Sequence, residues 1–369
     1  MKESTICVHT HHQEQGVNTP IDPSSANKYI GYEGNIYPRY FNTRNQEVVV
    51  EKLCQLERSE AGLIFSSGMA SITTALLAVL KSGDHILLSA EIYGGTHNLI
   101  LQEFEQYGIA FDFVSGGDFE SAVKPNTKVI YTETPSNPLL KIVDLKAIAD
   151  FAKAHNLISV VDNTFASPIN QRPIDFGIDV VVHSGTKYLG GHSDLCYGAV
   201  LTNSALREKV FQKAINLGGS LNALDSYLIE RSLKTLALRV EKQNENALKI
   251  AKFLDEHNSV KEVFYPGLGT HEDHEIAKKQ MHGGFGGMLS FELKDAFKTD
   301  AFLSALDLIT PALSLGGVET IICQPTKTSH LKMPEAERLK QGITDGLLRL
   351  SVGIENVEDL THDLNRAIG

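Results

Sequence analysis

Val180-Val181-Val182-His183-Ser184-Gly185-Thr186-Lys187-Tyr188 is the stretch on which the reading of this chain turns. A run of β-branched residues predicts a buried strand, and its abrupt passage into glycine and small hydroxylated residues predicts that strand's end. Ser184 and Thr186 stand just before Lys187, an arrangement that suits an amine condensing with an aldehyde beside a bound phosphate. Taken alone, the stretch fits an exposed turn lysine equally well, so the segments around it have to decide.

Upstream, apolar runs at Ala61 to Phe65, His85 to Leu88, Lys128 to Tyr131, Leu157 to Val161 and Ile178 to Val182 alternate with amphipathic segments. One of these, Leu145 to His155, carries Leu145, Ile148, Phe151 and Ala152 at helical spacing. The alternation predicts βαβ units and a mostly parallel α/β sheet flanked by helices. Residues 1–45, rich in Asn, Pro, Ser, Tyr and Gly without a sustained period, predict an extended arm lying on a neighbouring subunit. From Ser220 to Glu256 the period becomes helical, and the remainder, with strands at Met288 to Leu293 and Leu347 to Val352, predicts a smaller α+β domain. The expected division is 1–45, 46–232 and 233–369.

Ligands of open α/β sheets bind beyond the carboxyl ends of the strands, and three of these ends carry residues useful to one cofactor. Leu63-Ile64-Phe65 runs into Ser66-Ser67-Gly68-Met69-Ala70, where Gly68 and a helix start suit an anion. Val160-Val161 runs into Asp162, a buried carboxylate that needs a partner such as a pyridinium N–H; a helix cap or a metal ligand is the competing reading. The opening stretch supplies Ser184, Thr186 and Lys187. Pyridoxal phosphate meets all three requirements at once. Tyr93 follows another strand and suits stacking on the ring, or else a plain turn. Arg349, alone in an apolar strand, needs an anion: a substrate carboxylate or an internal carboxylate.

The bounds agree with a globular enzyme. The 369 residues are 42% hydrophobic and 21% charged, enough for two domains with their own cores. The net charge of -11 and the absence of a basic tract argue against nucleic acid. No apolar run reaches membrane-spanning length and the amino terminus has no apolar leader, so a protein retained in the cytoplasm is expected. Cys7, Cys54, Cys196 and Cys323 are widely spaced, which fits a reducing compartment and no zinc site. His271-Glu272-Asp273-His274 is expected to be a solvated loop, and His9, His11 and His12 surface residues of the arm. Gly283-Gly284-Phe285-Gly286-Gly287 is expected to mark a tight backbone approach and not a phosphate loop, because a strand follows.

Nearly the whole chain resembles the Cys/Met-metabolism family of pyridoxal phosphate enzymes, the trans-sulfuration group. The resemblance lies in Tyr37-Pro38-Arg39, Ser66-Ser67-Gly68-Met69-Ala70, Tyr93-Gly94-Gly95-Thr96, Glu133-Thr134-Pro135-Ser136-Asn137-Pro138 and Val161-Asp162-Asn163-Thr164-Phe165. It continues in Ser184-Gly185-Thr186-Lys187-Tyr188, Ser314-Leu315-Gly316-Gly317-Val318-Glu319 and Arg349-Leu350-Ser351-Val352-Gly353. It implies a fold type I transferase and a homotetramer of two catalytic dimers. It further implies that Lys187 is the Schiff-base lysine and proton shuttle, Asp162 the ring-nitrogen partner, and Tyr93 the stacking residue and a possible acid or base. Gly68, Met69, Ser184 and Thr186 are implied as phosphate ligands, with Tyr37 and Arg39 reaching the partner subunit's phosphate. Asn137, Ser314 and Arg349 are implied to border the substrate and its α-carboxylate, and Glu319 to meet a distal amine.

The expected activity is cleavage of a C–S bond in L-cystathionine or a close thioether amino acid. The runners-up are a γ-replacement joining an O-acylhomoserine to cysteine (cystathionine γ-synthase), an O-acetylhomoserine sulfhydrylase, and a cofactor-binding regulatory protein with little turnover. Several positions depart from the family's habits. Gly95 stands where methionine γ-lyases carry cysteine, Ile36 where an acidic residue often precedes the Tyr-x-Arg motif, and Asp22 where tyrosine is common. Asn42-Thr43-Arg44-Asn45 replaces a frequent Asn-Pro-Thr, and Tyr197 occupies a position usually small, where its ring would narrow the pocket or shift the lysine loop.

Overall fold

The structure is a computed structural model describing residues 1–9, 16–331 and 333–369, so His11 and His12 lie outside the described residues. Seven strands form the larger sheet: β1 (Ala61–Phe65), β2 (His85–Ser89), β3 (Ala110–Val114), β4 (Thr127–Glu133), β5 (Ile158–Asp162), β6 (Val180–Ser184) and β7 (Gly198–Thr202). Their order is β1-β7-β6-β5-β4-β2-β3. The β3-β2-β4-β5-β6 stretch is parallel, and β7 runs antiparallel to both β1 and β6. The five strands predicted for this sheet are all present; the structure adds β3, a largely half-exposed edge strand, and β7, which is fully buried.

Near-continuous apolar runs are what a sheet covered on both faces requires. Ile64, Leu87, Ile130, Val161 and Val181 pack into one core, while Phe65, Leu88, Val129, Val160 and Val182 pack into a second on the opposite face. A second sheet, β8 (Val260–Phe264), β9 (Met288–Leu293), β10 (Thr310–Pro311), β11 (Ile321–Cys323) and β12 (Leu347–Ser351), has the order β10-β11-β12-β9-β8. Its core contains Phe291, Leu348 and Leu350. The helical stretch after Ser220 is two helices, Ala223–Leu233 and Leu236–Asp255. The second belongs to both halves: Leu236, Ala237 and Val240 lie in the first core, and Ala247, Ile250 and Leu254 in the core of the smaller sheet.

Three expectations change. The arm is not extended throughout, because Glu3–Val8 is a helix docked by the Lys52 ammonium, which donates to the Cys7 carbonyl at 2.8 Å, and by an ion pair between Glu3 and Arg172. The His271–His274 segment is not simply solvated. His271 is buried, the Asp273 carboxylate accepts from the Ile142 amide at 2.8 Å, and His274 opens a helix. These polar side chains pin the loop before Leu145–Ala154 to the smaller half. The Tyr197 ring is the third case and is taken up with the site. The Gly283–Gly287 run does mark close approach: a Cβ at Gly283 would lie 2.3 Å from the Ile169 carbonyl oxygen.

Candidate active site

Parallel strands β4, β5 and β6 end side by side, and their last residues line one shelf. Glu133 and Asp162 are register partners across β4 and β5, and Ser184 closes β6. Beyond Ser184 the chain turns back on itself, with the Lys187 amide donating to the Ser184 carbonyl at 3.2 Å and the Gly190 amide to the Gly185 carbonyl at 2.7 Å. This turn carries Lys187 to the mouth of the shelf, where its Nζ donates to Ser314 Oγ at 2.8 Å. Burial, seconded by the Arg349 guanidinium, holds the Lys187 amine below the usual lysine range. A lysine so placed presents its free amine more readily than a solvated one, so it is the readier nucleophile although intrinsically the weaker base.

Asp162 is buried, with Oδ1 accepting from the Thr164 amide at 3.0 Å and the Thr164 hydroxyl at 2.5 Å, while Tyr131 Oη donates to Oδ2 at 3.4 Å. Burial raises its carboxyl above the ordinary range, and it has no ion pair among the described residues. An acceptor in that position suits a protonated ring nitrogen. Behind it, His183 Nε2 and Glu57 Oε1 stand 2.6 Å apart, both fully buried, and Asn163 Nδ2 donates to the same Glu57 oxygen at 2.9 Å. This support had one readable trace in the sequence, a glutamate following Val49, Leu53 and Leu56 on the buried face of its helix.

Gly68 opens the helix Gly68–Val79, whose cap is Ser67 Oγ accepting from the Ala70 amide at 3.1 Å. The Gly68 and Met69 amides precede the helical ladder, as anion-binding amides do. A Cβ at Gly68 would lie 2.8 Å from Ser184 Cβ, so only glycine keeps this cradle open against β6. Thr186 is already engaged: its hydroxyl donates to the Tyr197 carbonyl at 3.2 Å and accepts the Tyr197 amide at 3.1 Å. Tyr197 is 0% exposed. Its ring lies beneath Gly185, where a Cβ would fall 2.2 Å from two ring carbons, and so does not face the open shelf. The expectation that this ring narrows the pocket is corrected, because its bulk fills the core under the lysine turn.

From the smaller sheet, Arg349 in β12 donates through Nη1 to Asn137 Oδ1 at 2.9 Å and through Nη2 to the Ser314 carbonyl at 3.0 Å. Its Nε is buried without a partner, a donor left for an anion. Ser314 adopts φ 91°, a strained left-handed backbone for serine. That residue therefore joins the two halves, holding Lys187 by its hydroxyl and Arg349 by its carbonyl. Glu319 sits exposed on the rim, accepting from Ser193 Oγ at 3.2 Å. Tyr93 projects a 44% exposed ring, while its amide donates to Glu133 Oε2 at 2.6 Å. Tyr37 and Arg39 are not brought to this shelf. Arg39 Nη1 donates to the Ile215 carbonyl at 2.6 Å and its guanidinium lies over the Tyr40 ring.

The shelf thus holds a glycine-built anion cradle, an unpaired buried carboxyl and a lysine of lowered basicity. These fit the phosphate, the ring nitrogen and the aldehyde carbon of pyridoxal phosphate, and the class defined is a fold type I pyridoxal phosphate-dependent enzyme. Residues 4–369 match the family described as Cys/Met metabolism PLP-dependent enzyme, and the chain belongs to it. It is 44% identical to cystathionine γ-lyase of Bacillus subtilis (strain 168), covering 100% of this chain and 99% of that one. It is 45% identical to cystathionine β-lyase of Lactococcus lactis subsp. cremoris (strain MG1363), covering 95% and 94%. Its fold superimposes with a TM-score of 0.95 on cystathionine γ-lyase from Lactobacillus plantarum complexed with L-serine, at 41% identity over 100% of this chain and 98% of that one.

Proposed function

We propose that the chain cleaves the C–S bond of L-cystathionine or a close thioether amino acid, releasing a thiol amino acid, ammonia and a 2-oxo acid. The observation that carries this reading is the buried Lys187 amine meeting Ser314 Oγ at 2.8 Å, with Arg349 held on the other side of the same serine. Pyridoxal phosphate, when bound, supplies an aldehyde that captures an amine and a ring that accepts an electron pair. Gly68, Met69 and Ser184 hold the phosphate, and Thr186 contributes once its hydroxyl leaves Tyr197. Asp162 keeps a proton on the ring nitrogen. Arg349, oriented by Asn137, takes the substrate α-carboxylate through Nε and a guanidinium edge. Lys187 Nζ then removes the Cα proton and returns it at a later atom, Tyr93 covers the ring face, and Glu319 meets the distal ammonium at the rim.

The assembly belongs to the same reading. The arm leaves Tyr29, Ile30, Tyr32, Ile36 and Tyr37 exposed, an apolar stripe that a second copy of the chain would cover. In a homotetramer of two catalytic dimers, Tyr37 and Arg39 would complete a neighbouring phosphate site. The division into an arm (1–45), a cofactor-binding unit (46–232) and a smaller unit (233–369) goes with it. All four cysteines are free, which favours a cytoplasmic location. Among the described residues no helix is long and apolar enough to cross a membrane.

The test is a product assay. Purified protein supplied with pyridoxal phosphate and L-cystathionine gives pyruvate if cleavage is at Cβ and 2-oxobutyrate if at Cγ. O-succinyl- or O-acetylhomoserine with cysteine or sulfide tests synthesis. A bound chromophore with no product from any of these substrates overturns the reading. Lys187→Ala is expected to lose the bound-cofactor absorbance and turnover together, and normal turnover in that variant removes the lysine from its role.

A further inference from the structure

Glu133 is the one acid on the shelf to which the reading above gives no task. It is only 4% exposed, on the last position of β4, in register with Asp162. Two carboxyls ending adjacent strands in a dry site repel each other, so a bland residue would be easier to bury there. What Glu133 does with its carboxyl is accept the Tyr93 amide at 2.6 Å. Tyr93 precedes the short helix Gly94–Leu99, and its own side chain caps nothing.

The turn that carries Tyr93 is packed closely against Ser329 on the outside and against the Tyr93 ring on the inside. A Cβ at Gly94 would lie 2.9 Å from the Ser329 carbonyl oxygen, and a Cβ at Gly95 would lie 2.4 Å from Cε1 of the Tyr93 ring. The ring therefore rests directly on Gly95, the backbone at Gly94 is in close contact with the Ser329 carbonyl, and Glu133 holds the Tyr93 amide.

We propose that Glu133 is a positioning residue whose carboxyl, by reach and not by charge, fixes the height of the Tyr93 ring over the site. Burial and the nearby Asp162 carboxyl push Glu133 well above the usual carboxylate range, opposed first by the Tyr93 amide itself and then by the Arg349 guanidinium from β12. A neutral acid accepting one amide is what an amide side chain mimics. The inference rests on the reading above for Tyr93's contact with the cofactor.

Two conservative variants separate reach from charge. E133D keeps the carboxyl but withdraws it by about 1.5 Å, one carbon–carbon bond. E133Q keeps the reach and gives up the charge. In cofactor-free protein, amide exchange at Tyr93 is expected to accelerate by roughly tenfold or more in E133D and by clearly less in E133Q. In the holoenzyme, kcat is expected to fall by roughly tenfold or more in E133D with a smaller change in KM, and the visible circular dichroism of the bound cofactor shifts with it; E133Q recovers most of both. Unchanged Tyr93 exchange in E133D, or E133Q impaired more than E133D, overturns the proposal. Absence of turnover in the wild-type protein overturns the reading of function instead, while the exchange comparison still decides the anchor.

Discussion

Gly185→Ala tests whether the core beneath the lysine turn sets the position of the amine. The added Cβ would lie 2.2 Å from both Cε2 and Cζ of Tyr197, roughly 1.2 Å short of ordinary contact, which begins at 3.4 Å. The ring has no room to yield: it is fully buried, with the Arg239 guanidinium among its neighbours. Arg239 is itself fastened to the Tyr188 and Ser232 carbonyls at 2.8 and 3.0 Å. The turn must move instead, and Lys187 is two residues further on. A displacement on the 1 Å scale costs on the order of 100-fold in kcat/KM, or about 2.7 kcal/mol of barrier, and overpacking costs about 1–3 kcal/mol of stability. Steady-state kinetics with L-cystathionine and urea denaturation of the same preparations measure the two losses. Removing the ring in Gly185→Ala/Tyr197→Ala relieves the clash, so the pair is expected to lose less than the two single variants together. A wild-type Gly185→Ala, or effects that add to within about 0.5 kcal/mol, would refute the reasoning.

His330, buried beside Arg349, Arg338 and His97, is pushed down to about 4 by burial first and those charges second, from an ordinary 6.5. Because the unfolded chain takes up the proton first, its contribution to stability is complete above about pH 6.5 and is lost as pH falls toward 4, on the order of 3 kcal/mol in all. His330→Gln should flatten that acid limb in urea melts at pH 7.5 and 5, and an unaltered slope would count against it. Arg349→Lys loses the fork that joins Asn137 and Ser314, so KM for the amino-acid substrate should rise by about 100-fold while the cofactor absorbance stays. An unchanged KM would mean the α-carboxylate binds elsewhere.

Strand ends were legible because the chemistry is punctuated there. Val161 to Asp162 and Val182 to Ser184 each mark a buried strand meeting polar residues, and the structure sets them side by side on β5 and β6. The edge strand Ala110–Val114 was not legible, because Phe111 and Phe113 around Asp112 give an alternation too short to stand out. Glu133 stands in a motif read from the sequence but received no role there, because its significance is a register relation with Asp162, which no spacing along one strand encodes. The burial of Tyr197 under Gly185 likewise depends on β7 returning antiparallel beside β6. Asn137, Ser314 and Arg349 lie far apart in the chain, and only the meeting of two sheets explains why all three matter. The docking helix Glu3–Val8 is too short for a period to reveal it, and its stability comes from Lys52 and Arg172, supplied elsewhere.

The helix Leu236–Asp255 is 20 residues long, a rod of about 30 Å whose first turns are wedged in one core and whose last turns are wedged in the other. Hinged opening of the cleft would have to bend that rod or peel one end away from its packing.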